Sequence, residues 1–326
     1  MSDLKTALVT GGSGFIGTHL TSLLTQRGCK VVNFDTRAPK IQLDDVDWVM
    51  GDVLDRSQLA RAFGKFMPNY VIDLAARTDC VENISVEEGY SQNILGPQNL
   101  ISVANESPSV EKVVFTSTQF VLRPGADFVS DTNYSPHTIY GQSKVQMEQL
   151  IRRSAMSYAW TIIRPTNVWG PHHDRYRRQF FRVLKLGLYF HPGKTNSMKS
   201  YAYVGNVVHQ ISAILNLPAD FVNGRTFYVG DAPCPILEWV NAFSRALNGR
   251  DVSHVPEWLM IGLAKSGDLI SRISGKPFLI NSSRLNSITS EYLTPMQRTF
   301  DILGEPKFSL HEGVQETVRW LESNQN

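Results

Sequence analysis

Short apolar runs alternate with longer amphipathic stretches through the first half of the chain. The short runs are rich in Val, Ile and Leu, a composition typical of buried parallel strands. The predicted strands are Lys5–Thr10, Lys30–Phe34, Tyr70–Leu74, Lys112–Phe115 and Thr161–Arg164. Apolar residues spaced at three and four positions predict helices between them. These helices are Ile16–Arg27, Arg56–Phe66, Ser91–Glu106 and Gln142–Ala155.

Strands that alternate with helices of this length predict an α/β fold with a doubly wound parallel sheet of the Rossmann type. In such a sheet the crossovers are right-handed, and ligands bind at the carboxyl ends of the strands. The residues that follow each strand are therefore the first place to look for chemistry.

The alternation breaks after Pro171, where irregular stretches rich in His, Pro, Gly and Asn separate isolated helices. The helices predicted there are Val204–Leu215, Ile236–Ala246, Trp258–Ile273 and Leu310–Glu322. We therefore expect a dinucleotide-binding domain over 1–170. A smaller substrate-binding portion is expected over 171–326, with some of its segments returning to the sheet. Trp258, Leu259, Met260 and Leu263 form an apolar face that fits either internal packing or a membrane or lipid contact.

Composition indicates a globular protein, since 42% of the 326 residues are hydrophobic and 19% are charged. A formal net charge of +2 gives no reason to expect nucleic acid as a partner. The three cysteines, Cys29, Cys80 and Cys234, are widely spaced and lack metal-ligand spacing, which predicts free thiols, no metal site and a reducing cytoplasmic location. The N-terminal residues do not resemble a signal peptide, and no apolar run has the length of an integral membrane segment.

A glycine-rich turn follows the first predicted strand, in the sequence ALVTGGSGFIG. Gly11 permits a tight turn, Gly14 lets the backbone approach a pyrophosphate, and Gly17 lets the helix pack close to the strand. The N–H groups at the start of the helix then face the phosphates. Between a strand and a helix, this spacing predicts a dinucleotide site.

An acidic residue, Asp35, ends the second predicted strand. A carboxylate there accepts hydrogen bonds from the ribose hydroxyls and repels a 2′-phosphate, which favours NAD over NADP. Arg37 leaves the alternative open, because its guanidinium either pairs with a 2′-phosphate or is simply exposed. Asp52, in Gly51-Asp52-Val53, either accepts from the adenine amino group or serves as a turn residue.

A phenol and an ammonium lie four residues apart in Tyr140-Gly141-Gln142-Ser143-Lys144, a spacing that places both on one helix face. A nearby ammonium is expected to lower the tyrosine pKa from about 10 and so to allow proton exchange with a substrate hydroxyl. Three consecutive hydroxyls, Thr116, Ser117 and Thr118, follow the strand before them, and one is expected to orient the substrate oxygen.

These residues resemble the extended short-chain dehydrogenase/reductase family, and within it the NAD-dependent epimerase/dehydratase branch, which acts mainly on nucleotide sugars. The resemblance is carried by TGGSGFIG, Asp35, Leu74-Ala75-Ala76, Asn93, the Thr116–Thr118 run, YGQSK and RPTNVWGP (Arg164–Pro171). It covers nearly the whole chain and is most specific up to Pro171.

The resemblance implies NAD as cofactor, with NADP as the alternative. The cofactor-binding residues that it implies are Gly11, Gly14, Phe15, Ile16, Gly17, Asp35, Arg37, Asp52, Val53, Leu74, Ala75, Ala76, Asn93, Thr116, Tyr140, Lys144 and Pro165. It implies Tyr140 as the general acid/base, with Lys144 and Thr118 as catalytic partners. The implied substrate contacts are Thr118, Asn167 and Lys199, to which Arg178 is added as a cation for a diphosphate.

Two departures from the family pattern bear on the reaction. Gln119 and Phe120 follow Thr118 where dehydratases usually have an Asp-Glu pair, so dehydration is disfavoured. Asp73 also replaces the histidine that usually ends the third predicted strand, a change that the sequence does not explain.

Among the remaining reactions, Asp35, Asn167 and Lys199 favour a nucleotide-sugar epimerase, in the first instance a UDP-sugar 4-epimerase. The C-terminal part lacks a signature of sugar epimerases, which keeps open an NAD(P)H-dependent nucleotide-sugar 4-ketoreductase and then a 3β-hydroxysteroid-type dehydrogenase. Tyr140, Lys144 and Thr118 together argue against a non-catalytic dinucleotide-binding protein. The resemblance also implies a homodimer formed through Ser91–Glu106 and Gln142–Ala155.

Overall fold

The computed structural model describes residues 4–193, 196–275 and 281–323. They form two compact units, each assembled from separate chain segments. The first unit comprises Met1–Val168, Val204–Asp231 and Thr294–Lys307. The second comprises Trp169–Tyr203, Ala232–Leu293 and Phe308–Asn326. Two later segments therefore return to the first unit.

Strands and helices, numbered in chain order, make up both units. The strands are β1 (Thr6–Thr10), β2 (Lys30–Asp35), β3 (Val46–Met50), β4 (Tyr70–Asp73), β5 (Lys112–Thr116), β6 (Ala159–Pro165), β7 (Asn167–Trp169), β8 (Phe190–Pro192), β9 (Met198–Lys199), β10 (Tyr201–Tyr203), β11 (Arg225–Val229), β12 (Cys234–Pro235) and β13 (Ser253–Val255). The α-helices are α1 (Phe15–Gln26), α2 (Arg56–Phe66), α3 (Val86–Gly89), α4 (Gln92–Asn105), α5 (Ile139–Arg153), α6 (Asp174–Tyr176), α7 (Arg182–Lys185), α8 (Val204–Asn216), α9 (Ala219–Val222), α10 (Ile236–Asn248), α11 (Glu257–Ser274), α12 (Ser282–Thr289), α13 (Gln297–Leu303) and α14 (Leu310–Ser323). A 3₁₀ helix covers Gln119–Val121 and a π-helical turn covers Arg177–Phe181.

A seven-stranded sheet forms the centre of the first unit, in the order β11-β6-β5-β4-β1-β2-β3. All six neighbouring pairs are parallel. The predicted doubly wound α/β fold is therefore confirmed. The strand order reverses beside β1, whose neighbours are β2 and β4, so a crevice opens at the carboxyl ends of β1 and β4. Gly11 and Leu74 are the residues that follow these two ends.

Each strand and helix predicted from the sequence is present, and most of the bounds differ by a few residues. The largest shift at a helix start is that of α5, which begins at Ile139 instead of Gln142. The Thr138 hydroxyl accepts from the Gly141 backbone N–H and so caps the helix earlier. Tyr140 therefore lies inside the first turn of the helix.

Two strands of the seven-stranded sheet, β3 and β11, were not predicted, and they are its two edge strands. In β3, Asp47, Trp48 and Met50 are exposed, which weakens the apolar signal. At the other edge, β11 is buried after Arg225 because α13 lies against it. The Thr299 hydroxyl of α13 donates to the Tyr228 carbonyl. Because the segment that covers β11 is distant in the chain, the local hydrophobic pattern does not identify β11 as a buried strand.

The second unit is built around an aromatic core. Trp169, Phe181 and Phe243 are buried, and the ring of Trp239 stacks on that of Tyr201 with centroids 4.5 Å apart. Helix α10 packs against α14, and α11 packs against α12. Short ladders join β8 to β13 and β9 to β12. No described helix combines the length and the apolar character needed to cross a bilayer.

Candidate active site

The glycines of the turn between β1 and α1 have no room for side chains. Gly11 has φ +68°, and a Cβ there would lie 2.8 Å from the Ala75 nitrogen. A Cβ on Gly17 would lie 2.5 Å from the Gly11 carbonyl oxygen. The turn therefore meets the end of β4, and α1 starts close against β1. This geometry brings together two segments that the sequence placed in one cofactor site.

The start of α1 has no side-chain cap. Gly14 is the N-cap, and the first turn contains no acidic residue. Phe15 and Ile16 begin the helix and are half-buried. A helix start of this kind attracts phosphate through its N–H groups and its partial positive charge.

Asp35 ends β2 with its carboxylate buried beside the glycine turn. One oxygen accepts from the Ser13 backbone N–H at 3.1 Å, and the other accepts from the Arg37 N–H at 2.9 Å. The Arg37 side chain is 77% exposed, with its Nε 4.0 Å from the carboxylate. The carboxylate is thus held against the turn, as a ribose acceptor requires, while the guanidinium extends into solvent.

The predicted adenine contacts lie in the turn after β3. The Asp52 carboxylate accepts from the Leu54 backbone N–H at 2.9 Å, so it serves as a turn residue. Val53 packs against α4, since a Cβ on Gly96 would lie 2.9 Å from its Cγ2. Both residues are half-buried, and their contact with adenine stays a prediction.

Tyr140 and Lys144 lie one turn apart on α5, both buried, as their spacing predicted. The Tyr140 phenol lies beside Thr118, whose hydroxyl caps the 3₁₀ helix after β5. The Lys144 ammonium donates to the Thr116 carbonyl at 2.8 Å. The end of β5 therefore holds both side chains.

The expected effect of Lys144 on the tyrosine is not present in this structure. Burial raises the pKa of Tyr140 above its usual value, and the neighbouring Cys80 adds to the rise, while the Thr118 hydroxyl opposes it. Burial also lowers the pKa of Lys144 to about 8, against the opposing effect of the Asp73 and Glu148 carboxylates. Desolvation of the phenol therefore outweighs the attraction to Lys144 that its spacing predicted, and it favours the protonated form of Tyr140.

Asp73, the residue that the sequence left unexplained, is buried at the end of β4. Its carboxylate accepts from the Thr10 hydroxyl at 2.6 Å, so it ties β4 to the end of β1. Burial raises its pKa, while Thr10 and Lys144 oppose the rise. It adds negative charge near Lys144 and fixes the strand ends on either side of the crevice.

The Asn93 side chain makes its hydrogen bonds to other residues of the protein. Its amide oxygen accepts from the Arg77 N–H at 2.8 Å, and its amide nitrogen donates to the Arg77 carbonyl and the Ser143 hydroxyl. It therefore joins the loop after β4 to α5.

Two further residues predicted to contact the cofactor lie at strand ends. The Thr116 hydroxyl at the end of β5 is buried and has no hydrogen-bond partner in the described part of the chain, and Pro165 ends β6 opposite Val229.

Sequence reasoning missed an aromatic wall around the phenol. Tyr90 and Phe120 lie with their ring centroids 6.1 and 6.3 Å from that of Tyr140. Cys80, Ile84 and Ile139 pack against the same cluster. These residues exclude water from the phenol, but they come from the loops around α3, from the 3₁₀ helix and from the start of α5, and no motif marks them.

The predicted substrate residues fall in different parts of the chain. Asn167 is exposed, two residues after the end of β6 in the first unit. In the second unit, Lys199 is buried and donates to the Ser287 carbonyl at 2.8 Å and to the Ser290 carbonyl. Arg178 is exposed in the π-helical turn of that unit. Their contact with substrate stays a prediction.

The described residues fit a bound dinucleotide. The glycine-rich turn, the uncapped start of α1 and the Asp35 carboxylate suit the pyrophosphate and the ribose. The Thr116 hydroxyl, which has no hydrogen-bond partner among the described residues, lies next to the candidate catalytic residues. The fold and this site together define an NAD-binding enzyme of the extended short-chain dehydrogenase/reductase class.

Comparison with known proteins narrows the class. The sequence profile of the NAD dependent epimerase/dehydratase family matches residues 7–230, so the chain belongs to this family. NAD is therefore its cofactor. The family membership expected from the motifs is confirmed.

Known relatives cover more than one reaction. The chain is 26% identical over 323 residues to N-acetyl-α-D-glucosaminyl-diphospho-ditrans,octacis-undecaprenol 4-epimerase of Escherichia coli O157:H7, covering 96% of this chain and 94% of that one. It is 28% identical over 246 residues to a 3-beta-hydroxysteroid dehydrogenase of Mycolicibacterium neoaurum, covering 71% of this chain and 66% of that protein. Among solved structures, UDP-glucose 4-epimerase of Thermotoga maritima with UDP-glucose has a TM-score of 0.75 at 22% identity, covering 98% of this chain and 100% of that one.

Proposed function

We propose that this protein is an NAD-dependent epimerase that inverts the hydroxyl at C4 of a nucleotide sugar, with a UDP-sugar as the first candidate. The observation that carries the proposal is the buried Tyr140 phenol, which lies beside Thr118 and one helical turn from Lys144 in a chain that also has a dinucleotide turn. Similarity to the E. coli 4-epimerase over 96% of this chain supports the same reaction class.

The chain's own residues supply proton transfer and orientation. NAD, held by the Gly11–Gly17 turn and Asp35, would supply reversible hydride exchange with the carbinol carbon, so no cofactor would be consumed. Thr118 would bind the reacting oxygen. Tyr140 would take the hydroxyl proton as a phenolate, a form that the positive charges of Lys144 and bound NAD⁺ favour, and would return the proton to the oxygen of the inverted centre. Lys144 places a positive charge beside this exchange.

Dehydration is not part of the proposal. Gln119 follows Thr118 with its side chain buried, and the Phe120 ring packs edge-on to the Tyr140 ring. A dehydratase needs a carboxylate and a carboxylic acid to remove water from neighbouring carbons. An amide and a phenyl ring at these two positions cannot perform that proton transfer.

The substrate contacts and the assembly belong to the same proposal. We assign Asn167 to the sugar nucleotide and Lys199 to the diphosphate, with Arg178 as a further cation. Lys199 already donates two hydrogen bonds to carbonyls, which leaves its third N–H for a phosphate oxygen. A homodimer through α4 and α5 completes the proposal.

The test is a panel of UDP-, GDP- and dTDP-sugars incubated with the full chain and NAD⁺. Products are identified by NMR while the absorbance of reduced nicotinamide is followed in the same tube. We expect one sugar to yield its C4 stereoisomer with no net reduction of cofactor, and Tyr140→Phe to abolish that conversion. If no sugar in the panel is converted, the epimerase proposal for these sugars is wrong.

A second candidate is a 3β-hydroxysteroid-type dehydrogenase. It is favoured by the similarity to the M. neoaurum 3-beta-hydroxysteroid dehydrogenase, at 28% identity over 71% of this chain. A 3β-hydroxysteroid is therefore included in the panel. Stoichiometric formation of NADH with the steroid, and no isomerisation of any sugar, would establish this alternative.

A further inference from the structure

Helix α11 in the second unit exposes large apolar side chains along its whole length. Trp258, Leu269 and Ile273 are 73%, 59% and 80% exposed. Four more lie partly in solvent: Leu259, Ile261, Leu263 and Ile270. Of the four residues in the apolar face predicted from the sequence, Met260 is buried, whereas Trp258, Leu259 and Leu263 are exposed.

The exposed apolar residues continue from one flank of the buried side, at Leu263, to the side opposite it. At 100° per residue, Met260, Ala264 and Gly267 share the side that faces the unit, and all three are buried. Trp258, Leu269 and Ile273 fall on the opposite side of the helix. A surface helix of a globular protein carries polar residues on that side, whereas α11 is apolar there as well. We call Trp258, Leu259, Leu263, Leu269, Ile270 and Ile273 the α11 face.

Basic side chains accompany the α11 face. Lys265 and Arg272 are exposed on the same helix, next to Trp258 and Leu269 on the helical projection. Elsewhere in the same unit, the segment 174–190 carries a basic stretch followed by exposed apolar residues. The exposed basic residues are Arg175, Arg178, Arg182 and Lys185, and the exposed apolar residues are Leu186, Leu188 and Phe190.

A strand ladder connects this basic segment to the start of α11. Phe190 pairs with Ser253 and Pro192 pairs with Val255, in parallel. Helix α11 begins at Glu257, and a Cβ on Gly193 would lie 3.5 Å from the Glu257 Cβ. The β8–β13 ladder therefore connects the segment 174–190, with its basic and exposed apolar residues, to the start of α11.

We propose that the α11 face binds the surface of an anionic lipid bilayer, with the helix lying in the plane of the headgroups. Apolar residues that include Trp, flanked by Lys and Arg, are typical of interfacial helices. Basic side chains are attracted to the negative surface potential of anionic lipids. The alternative occupant is a second copy of this chain, and the test below includes it as an outcome.

The test is co-sedimentation of the full chain with phosphatidylcholine vesicles, with and without phosphatidylglycerol. We expect binding to the vesicles that contain phosphatidylglycerol, weakened by salt and much weaker on phosphatidylcholine alone. Trp258→Asp combined with Ile273→Asp is expected to lower the partition coefficient at least about tenfold. Arg182→Gln and Lys185→Gln are each expected to lower it roughly fivefold on anionic vesicles only.

A matched control is Val129→Asp, since Val129 is 75% exposed in the first unit and lies outside the α11 face. It is expected to bind vesicles like the wild type. All variants should keep the wild-type unfolding temperature, because their side chains are exposed, and the sugar-isomerisation assay should be unaffected without vesicles. A failure of the proposed reaction therefore leaves this test unchanged.

Three results would overturn the proposal. The first is a wild-type chain that sediments with neither vesicle. The second is a Trp258→Asp/Ile273→Asp variant that binds as well as the wild type. The third is a wild-type dimer in analytical ultracentrifugation that this double variant dissociates, which would assign the α11 face to contact between chains.

Discussion

Glu148 and Arg164 form a buried ion pair behind the candidate catalytic residues. The two carboxylate oxygens accept from the Arg164 Nε and Nη2 at 2.8 Å each, and the side chains are 0% and 2% exposed. Glu148 lies one turn beyond Lys144 on α5, and it also accepts from the Ser117 hydroxyl at 2.6 Å. The ion pair therefore joins α5 to β6, and the Ser117 bond joins α5 to the segment after β5, next to Thr118.

Removing one member of this pair is expected to destabilise the fold strongly. Glu148→Ala leaves the Arg164 guanidinium buried without its counterion, which costs about 3–5 kcal/mol of unfolding free energy. Arg56→Ala is the control, because its pair with Glu106 is exposed and is expected to contribute about 1 kcal/mol or less. Urea unfolding measures both. The double variant Glu148→Met/Arg164→Met should recover much of the loss, and a loss equal to the sum of the single variants would contradict this account.

Gly141 separates two effects of adding a methyl group to a helical glycine. A Cβ at this position would lie 2.4 Å from the Phe120 carbonyl oxygen, so Gly141→Ala must shift the start of α5 away from the 3₁₀ helix. We expect a loss of about 1–3 kcal/mol in stability and about a hundredfold loss in turnover. Gly64→Ala in α2 meets nothing within 4 Å and is expected to stabilise by about 0.5–1 kcal/mol. Equal effects of the two changes would show that packing at Gly141 is unimportant.

Lys144 is expected to make the free protein more stable as the pH rises. Its pKa is about 8 in the folded chain, against 10.5 in the unfolded chain. Between these values the unfolded chain binds more protons, so the unfolding free energy increases with pH by up to about 3 kcal/mol. Burial also raises the pKa of Tyr140, which opposes the trend above about pH 10.

The measurement is urea unfolding of the wild type and Lys144→Met between pH 7 and 10. Lys144→Met is expected to be more stable at pH 7, by at most about 3 kcal/mol, and to lack the increase with pH. Lys30→Met, at a half-exposed ammonium, serves as the control and should keep the wild-type pH dependence. A Lys144→Met profile that parallels the wild type would be inconsistent with a desolvated ammonium.

Asp35 is expected to set the preference for NAD over NADP. Asp35→Asn keeps an oxygen for only one of the Ser13 and Arg37 N–H groups, and it loses the charge that repels a 2′-phosphate. We expect about a tenfold weaker Kd for NAD and a tighter Kd for NADP, measured by calorimetric titration. Arg37→Gln tests the remaining alternative for the exposed guanidinium. If it weakens NADP binding to Asp35→Asn, Arg37 contacts the 2′-phosphate, and no change identifies it as a surface residue.

Tyr140→Phe is expected to abolish turnover while preserving the fold. The phenol lies beside Thr118, and loss of its hydroxyl removes the group that exchanges the substrate proton, at a cost of about 10²–10⁴ in kcat. NAD binding, followed by the rise in unfolding temperature that it causes, should remain. Substantial residual turnover would move the proton transfer to another group.

The sequence predicted those parts of the site that depend on local geometry. Gly11, Asp35, Tyr140 and Lys144 are each placed by one strand end or one helical turn, so their spacing carries their position. The tyrosine pKa was predicted wrongly because desolvation depends on Tyr90, Phe120 and Cys80, which come from separate loops. The Glu148–Arg164 pair was missed for the same reason, since a residue of α5 and one of β6 meet only in the folded sheet.

The division of the first unit into separate segments constrains how the protein is made. Ribosomal synthesis delivers β6 long before β11, its neighbour in the sheet, and later still delivers the Thr299 hydroxyl that bonds to β11. Until then β6 has an open, apolar edge, which is a template for pairing with other chains. A nascent or truncated chain that ends at residue 168 is therefore expected to need a chaperone, and the cofactor domain is complete only after most of the chain has been translated.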